Sequence, residues 1–509
     1  MNVSLKYLLK TSFFILILTL FSKGVGFLRE VIIAYYFGLN DEYDIFLVSI
    51  TVISIINSTI YYLAQNFFIP LYNKLKEENK SDQFFNLSIV VFLFLSIFVT
   101  VLLLLFGNQI LRLFVSTKNL NLLKLATEIF ELYVLTIPFN ALFSVIAAFL
   151  QARFKFIAVA VSYVVINLST VLLLLIAKNN FGVLGVAFSI LVGTFMQFVF
   201  LIPFTYKFIK IRTGWSKLIK ENKSLISGAL LITLFIELIS LSYSFIDRYF
   251  YTELIKGGIS AINYAQTITS IPTNFYATTL VTLIFSHFSL NSGQKNDVAN
   301  FTAYNNVLKF NFLLFFPMFL IFYYFGDSIV YFLFERGKFD IRATFMTFDA
   351  LKYLSIGIPF ITAYAIMNKL MYSYGKLKML LGFTLISFGV KLIFSFVLVK
   401  YFNFKGLALS TSAAYLVLFI ICHQYISYIF KVENKFQIFK YIVYYLLMAL
   451  IPIFMIYAFQ ISFFENKYFN TLIFMFLYVI IYFFINLFLD EGIKRPIISK
   501  IKGILKINV

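Results

Sequence analysis

Three charged side chains interrupt an apolar segment near the start of the chain. Lys23, Arg29 and Glu30 lie between the apolar residues 11–21 and the apolar residues 31–37. A charged group at membrane depth costs about 3 kcal/mol or more unless it faces a partner or water. At 100° per residue, Lys23 and Glu30 share one helical face, and Arg29 lies about 120° from Lys23. The spacing predicts one long helix with a sector facing a wet, charged interior; the alternative is a helix that ends near Phe21.

Further ionisable residues fall in or near the other apolar spans: Asp44, Glu237, Asp247, Arg248, Asp349, Lys352, Lys369 and Lys391. Lys352 and Lys391 lie well inside their spans, although Asp349 could pair with Lys352 on one helix face. Lys369 lies near the end of a span, where a lysine can extend its ammonium to the interface.

The best-buried charges are mostly basic. Asp247 and Arg248 lie where the predicted seventh span ends, so an ion pair at the membrane interface is one interpretation of them. An excess of buried positive charge calls for an anionic substrate, and phosphate or diphosphate is a natural partner of Arg and Lys. We therefore predict a cationic substrate site that contains Lys23, Arg29, Lys352 and Lys391. Supporting or gating roles are predicted for Glu30, Asp44, Asp247, Arg248 and Lys369.

Composition places the chain among membrane proteins. Of 509 residues, 61% are hydrophobic and 13% are charged, whereas soluble domains contain about 45–50% apolar and 25% charged residues. Basic cytoplasmic loops explain the net charge of +20, so no nucleic-acid partner is expected. One cysteine and two histidines give no basis for a disulfide framework or a metal site. No GxxxxGK[ST] motif occurs, so we expect no ATP hydrolysis, no other enzymatic activity and no cofactor.

Apolar runs of about 20 residues predict an all-α polytopic membrane protein with about fourteen transmembrane helices. The runs cover residues 17–37, 45–68, 84–106, 129–150, 156–177, 183–204, 225–244, 262–285, 310–325, 345–370, 380–399, 407–430, 441–459 and 468–489. We predict two six-helix lobes, residues 1–206 and 224–430, joined by a basic linker at 207–223. Residues 431–509 are expected to form two further helices and a basic tail. Two such lobes suggest a transport path between them.

Basic residues orient this array. Lys and Arg concentrate in the C-terminal tail and in the linker, at Lys207, Lys210, Arg212, Lys217, Lys220 and Lys223. Both termini and the linker are therefore expected in the cytoplasm. The linker is either an amphipathic helix on the membrane surface or a solvated tether. The last two spans carry no charge across residues 441–464 and 468–489, so we expect them to contact lipid or a lipid tail.

The charged motif of the first helix resembles that of a known family. Ser22-Lys23-x-x-Gly26-Phe27-Leu28-Arg29-Glu30, followed by Phe37-Gly38 and Asp44, resembles the opening of the MurJ (MviN-type) lipid II flippases, which reads Ser-Arg-x-x-Gly-Phe-x-Arg-Asp. Later segments resemble the same family: Ile246-Asp247-Arg248, Asn263-Tyr264-Ala265 with Pro272, and Phe334-Glu335-Arg336-Gly337-Lys338-Phe339. The likeness extends over about residues 10–430.

The resemblance implies a flippase of the multidrug/oligosaccharidyl-lipid/polysaccharide superfamily. Such a protein moves a polyprenyl-diphosphate-linked saccharide, lipid II above all, across the cytoplasmic membrane by alternating access. The resemblance also implies that Lys23 and Arg29 contact the diphosphate, that Glu30 pairs with a neighbouring cation, and that Asp44 belongs to an outer gate. The expected partners are the lipid-linked oligosaccharide and membrane lipids, with the protein acting as a monomer or beside cell-wall synthesis proteins. A coupling ion of unknown identity or the membrane potential would drive transport.

Two positions depart from the family pattern. The arginine pair of the family's second helix is replaced by Ile55-Ile56-Asn57-Ser58, and the Tyr-Ala-Asp-Arg of its eighth helix by Tyr264-Ala265-Gln266-Thr267. Lys352 and Lys391 compensate for these losses in part. The departures leave open a flippase for an O-antigen or exopolysaccharide unit. A multidrug exporter of the superfamily fits less well because exporters of cations favour buried acids, and a membrane glycosyltransferase would need a longer aqueous loop.

The orientation can be checked by cysteine labelling. In a Cys422→Ser background, Ser216→Cys in the linker should resist an impermeant thiol reagent in intact cells, because the basic linker is expected inside. Arg342→Cys, in the predicted outer loop at 326–342, should be labelled. Both should react after permeabilisation, and labelling of Ser216→Cys in intact cells would reverse the predicted orientation.

Overall fold

The computed structural model describes residues 5–77, 80–115, 119–209, 228–277, 297–430, 437–459 and 467–489. Within these ranges every regular element is a helix. A helix satisfies its own backbone hydrogen bonds, which lipid cannot do, so long apolar runs fold as helices. The predicted all-α fold class is confirmed.

The helices of the described ranges are numbered in chain order. They are α1 (Leu5–Phe37), α2 (Asp41–Leu63), α3 (Ile69–Glu77), α4 (Ser81–Leu111), α5 (Leu120–Val134), α6 (Thr136–Ala152), α7 (Phe156–Leu201), α8 (Gly228–Tyr249), α9 (Gly258–Tyr276), α10 (Asp297–Phe334), α11 (Ile341–Ser355), α12 (Ile358–Ser373), α13 (Leu377–Phe402), α14 (Phe404–Ile429), α15 (Gln437–Phe459) and α16 (Lys467–Leu489). A π-helical turn, Ala64–Phe68, joins α2 to α3. Gly182, with a φ of +54°, interrupts α7 and divides it into two spans.

Among the described residues, ten helical runs are long and apolar enough to cross a bilayer, and the bent pair α11–α12 makes an eleventh. Three further helices, α1, α8 and α9, have 33, 22 and 19 residues, and a bilayer needs about 20. This inventory is consistent with fourteen spans, although the number itself stays a prediction. The chain is a multi-pass membrane protein.

The first helix is continuous. α1 runs through Lys23, Arg29 and Glu30 without interruption and has 33 residues, which corresponds to about 50 Å. The alternative of a helix that ends near Phe21 is therefore wrong. The three charges lie on one rigid element, and their relative directions follow from the helical repeat.

The described residues fall into two compact units. The first unit lies within Met1–Tyr264, Arg336–Ala343 and Leu377–Leu407, and the second within Ala265–Glu335, Thr344–Lys376 and Ala408–Val509. In the first unit α1 packs along α7, and α8 packs along α13. In the second unit α10 packs against α12, α15 and α16. The predicted six-helix lobes stay a prediction, and most of the predicted linker lies outside the described residues.

Arg153 ties several segments of the first unit together at the end of α6. Its guanidinium donates to the Tyr72 hydroxyl at 2.9 Å and to Asp82 Oδ1 at 3.2 Å. The guanidinium carbon also lies 4.0 Å from the centre of the Phe208 ring and 4.9 Å from that of Phe149. These five residues, the Arg153 cluster, hold the start of the predicted linker, at Phe208, beside α3, α4 and α6.

Replacing Arg153 with leucine should destabilise the protein by roughly 1.5–3 kcal/mol, because charge-assisted hydrogen bonds and a cation–π contact are lost. Thermal unfolding of the purified protein in detergent measures the effect. Lys155→Leu is the matched control, since Lys155 is exposed two residues away. Equal melting temperatures for the two variants would show that the cluster contributes no stability.

Candidate functional site

Lys23 is an exposed cation of α1. Phe21, Leu28 and Tyr35 recur every seven residues and form one exposed apolar row, and at 100° per residue Lys23 and Glu30 lie about 140–160° from Leu28. Leu16 and Leu20 are exposed as well, and they lie within about 60° of Lys23 around the helix. Lys23 has no ion-pair or hydrogen-bond partner among the described residues, so its ammonium is available to an anion.

A polar contact sets the orientation of α1 on α7. The Asn167 Nδ2 donates to the Ser22 hydroxyl at 3.0 Å and to the Ser22 carbonyl oxygen at 3.2 Å. A Cβ on Gly26 would lie 3.3 Å from Asn167 Oδ1, so a small residue lets the amide sit against the helix. Ser22 and Gly26 of the first motif therefore fix the rotation of the helix that carries Lys23.

Arg29 and Glu30 form a local ion pair. Arg29 Nη2 and Nε donate to Glu30 Oε1 at 2.7 Å and 3.1 Å. The Tyr43 hydroxyl donates to Glu30 Oε2 at 3.5 Å, and Asn263 Nδ2 donates to the Tyr43 hydroxyl at 3.4 Å. Glu30 has a neighbouring cation, as the resemblance implied, and its second oxygen links α1 to α2 and α9.

Asp44 caps a helix of the same unit. It is 1% exposed, and its carboxylate accepts from the backbone N–H of Gly257 at 2.9 Å, from that of Ser260 at 2.7 Å, and from the Ser260 hydroxyl. These groups form the first turn of α9, where the unpaired N–H groups and the helix dipole favour a negative charge. The start of α2 is thereby attached to the start of α9.

Two motif segments that are distant in sequence contact each other through their backbones. The Lys338 N–H donates to the Tyr35 carbonyl oxygen at 2.8 Å. Gly38 and Gly337 have φ values of +57° and +63°, and a Cβ on either would collide with the opposite backbone. Both positions therefore require glycine. The Phe37-Gly38 and Gly337-Lys338-Phe339 segments form one contact between the α1–α2 turn and the α10–α11 loop.

Asp247 and Lys391 form a buried pair in the first unit. Lys391 on α13 is 0% exposed and donates to Asp247 Oδ1 on α8 at 2.5 Å. Arg248 is also buried, and its Nε and Nη1 have no hydrogen-bond partner within the described part of the chain. The interpretation of Asp247 and Arg248 as an interface ion pair is wrong, since Asp247 bonds to Lys391 instead. Substrate contact by Lys391 stays a prediction, and its enclosed position favours a different role.

The two remaining predicted cations belong to the second unit. The Lys352 ammonium on α11 lies 4.6 Å from the centre of the Tyr323 ring on α10 and is partly buried. Lys369 on α12 is exposed and lies 5.9 Å from the Tyr372 ring centre. An aromatic face stabilises a desolvated ammonium without neutralising its charge, so Lys352 can still attract an anion.

A neutral polar network takes the place where the family carries its second-helix arginines. Asn57 Nδ2 donates to the Thr136 hydroxyl at 2.9 Å, and Asn140 Nδ2 donates to the Asn57 carbonyl oxygen at 2.9 Å. The sequence interpretation considered only ionisable residues and missed this network, as it missed Tyr43 and Asn167. For Asn140 and Asn167 a signal was available, because each is an amide within a strongly apolar run.

Known proteins resemble this chain over most of its length. A family model described as lipid II flippase MurJ matches residues 33–483. The chain belongs to the MurJ family. It is 26% identical to the probable lipid II flippase MurJ of Buchnera aphidicola subsp. Schizaphis graminum, over 88% of this chain and 90% of the relative. The corresponding MurJ relative from Borreliella burgdorferi is 24% identical, with 91% and 90% covered.

Solved structures share the MurJ fold. The structure of lipid II flippase MurJ in an inward closed conformation matches with a TM-score of 0.79 and 21% identity, covering 94% of this chain and 99% of that chain. A multidrug resistance MATE family transporter in an inward-facing conformation matches with a TM-score of 0.67 and 14% identity, covering 82% and 96%. At these identities the similarity concerns the fold alone.

Arg29→Ala should strongly decrease transport while the protein still accumulates in the membrane. Among the described residues the Arg29 guanidinium donates hydrogen bonds to the neighbouring Glu30 alone, so its loss removes a ligand for an anion and little packing. The loss of one charge-assisted contact corresponds to roughly a 10- to 100-fold decrease in activity. Lys23→Arg, which keeps the charge, should be tolerated. Failure of Arg29→Ala to accumulate would instead assign the residue a structural role.

Proposed function

We propose that this protein translocates a polyprenyl-diphosphate-linked saccharide, lipid II in the first instance, from the inner to the outer leaflet of the bacterial cytoplasmic membrane. The observation that carries the proposal is the MurJ family match over residues 33–483. The relatives named as lipid II flippases are covered over about nine-tenths of their own length. The proposal assigns the chain a transport step and no catalysis.

The charges of α1 support a diphosphate as the recognised group. Lys23 is an exposed ammonium without a partner among the described residues. A guanidinium has five N–H donors, and within the described ranges Arg29 makes the two bonds to Glu30 given above. The remaining donors can reach an anion, and Arg and Lys together bind phosphate groups well. In this proposal Lys23 and Arg29 bind the diphosphate.

The last two helices supply an apolar surface for the polyprenyl tail. The hydroxyl groups of Tyr478 and Tyr482 on α16 donate to the carbonyl oxygens of Ala449 and Leu313 at 3.1 Å and 3.0 Å. These two hydroxyl groups are thus satisfied inside the second unit. Phe454 and Phe476 are exposed, so the outer surface of α15 and α16 suits lipid chains.

The proposal also covers the orientation, the oligomeric state and the gate of the protein. Both termini lie in the cytoplasm, as the basic tail and linker indicate. The protein acts as a monomer, alone or beside cell-wall synthesis proteins. Asp44 and its bonds to α9 act as part of the outer gate, and Glu30 supports Arg29.

A second cargo, an O-antigen or exopolysaccharide unit on the same lipid, is favoured by one observation. Asn57 and its partners Thr136 and Asn140 form an uncharged network where the family pattern has arginines. A site with fewer cations binds the same diphosphate less tightly and leaves more of the recognition to the sugar. A multidrug exporter has no comparable support, because the similarity to such transporters concerns the fold alone.

Replacement of the only lipid II flippase in a depletion strain tests the proposal. We expect this protein to restore growth and outer-leaflet lipid II, because the cationic face of α1 recognises the diphosphate of the cargo. Arg29→Ala, expressed to the same level, is the matched inactive control. Failure to rescue, together with accumulation of another polyprenyl-linked sugar on deletion of the native gene, would assign the second cargo. Increased sensitivity to cationic drugs on that deletion, with neither lipid accumulating, would contradict both assignments.

A further inference from the structure

The Asp247–Lys391 pair is a fully enclosed ion pair. The side chains of Lys391 and Asp247 are 0% and 2% exposed, and the ammonium lies 2.5 Å from Asp247 Oδ1. Removing two charges from water is favourable only when their geometry and further hydrogen bonds compensate for the loss of hydration. The pair therefore needs additional ligands, and it cannot serve as an open cationic surface in this conformation.

The ammonium has the surroundings of a bound metal cation. Besides Asp247 of α8, it donates to the carbonyl oxygen of Leu407 on α14 at 2.9 Å. Four residues earlier on α8 and on α13, the hydroxyl groups of Tyr243 and Ser387 lie 2.6 Å apart. Membrane transporters bind Na⁺ with oxygen ligands that converge from different helices, backbone carbonyls among them. Here a lysine ammonium occupies the point where these oxygens converge.

The other acids of this part of the first unit also have partners from the protein. Glu30 accepts from Arg29, and Asp44 accepts from the first turn of α9. An added cation at Asp247 would meet the like charge of Lys391 at contact distance, and like charges in a site of low dielectric repel strongly. The cation position at Asp247 is already filled by the chain itself.

We propose that Lys391 is a built-in counter-cation that replaces a monovalent metal ion at Asp247. The tethered ammonium holds α8, α13 and α14 together without an added ion, so cargo transport by this protein does not require Na⁺. Only the statement about transport rests on the proposed function. The occupation of the site by Lys391 is a property of the protein alone and can be tested without any cargo.

Thermal unfolding of the purified protein in detergent provides the direct test. The melting temperature is measured in NaCl, LiCl, KCl and choline chloride at equal ionic strength. The wild-type protein should show no Na⁺-specific shift, because its site already contains a cation. Lys391→Ser removes the ammonium, leaves Asp247 and the Leu407 carbonyl in place, and adds a hydroxyl ligand. The melting temperature of this variant should be about 3–5 °C higher in Na⁺ or Li⁺ than in choline.

A neutral double variant serves as the control. Asp247→Asn combined with Lys391→Met removes both charges at nearly constant volume, so it should show no Na⁺-specific shift. If Lys391→Ser does not accumulate, Lys391→Asn provides the second small variant with an oxygen ligand. A Na⁺-specific rise for the wild-type protein would overturn the proposal, and so would a folded Lys391→Ser or Lys391→Asn variant that does not respond to Na⁺.

Transport in proteoliposomes gives the functional readout. Wild-type flipping of lipid II should have the same rate in Na⁺ and in choline, whereas flipping by Lys391→Ser should require Na⁺ or Li⁺. A Na⁺ requirement in the wild-type protein would again overturn the proposal. Absence of wild-type flipping in either salt would contradict lipid II as the cargo, while the melting temperatures would still decide whether Lys391 fills the cation position.

Discussion

The structure depends on compensation of most of the charges that its described apolar helices carry. An uncompensated charge at membrane depth costs about 3 kcal/mol or more, and the described charges meet this constraint in different ways. Arg29 and Glu30 pair on one helix, Asp247 and Lys391 pair between two helices, and Asp44 accepts N–H groups from a helix start. Lys23 is the exception on α1, because it is exposed and has no partner among the described residues. An anionic ligand gains the most binding free energy at such an unpaired cation.

Local patterns explain why much of this architecture was predictable. The helices follow the apolar runs, and the position of Lys23 relative to Glu30 follows from the helical repeat of a single element. The Phe37-Gly38 and Gly337-Lys338-Phe339 motifs were recognised as family segments, but their mutual contact was not inferred. That contact depends on two backbones meeting closely, which glycine permits at both positions and which no local pattern encodes.

The contacts that could not be predicted from the sequence are pairs of residues that lie far apart along the chain. Asp247 and Lys391 are 144 positions apart, so the partner of either one cannot be read from its neighbours. Lys391 was therefore grouped with the substrate cations on the ground of burial alone. The same limit applies to Asn57, Asn140 and Asn167, whose amides join helices across long separations. An uncharged amide costs less to bury than a charge and gives a weaker signal in an apolar run.

The two kinds of polar contact in the first unit differ in the partners that compensate the buried carboxylate. Asp44 holds α9 through two backbone N–H groups and a serine hydroxyl, and three hydrogen bonds to a charged group correspond to about 4.5–9 kcal/mol in total. Asp247 accepts from Lys391, which also donates to the Leu407 carbonyl oxygen, and removing one partner of such an enclosed pair costs about 3–5 kcal/mol. The two contacts therefore resist separation to a similar degree. In an alternating-access movement the helices joined by either contact would move together, because opening either one leaves an enclosed carboxylate that has lost its partners.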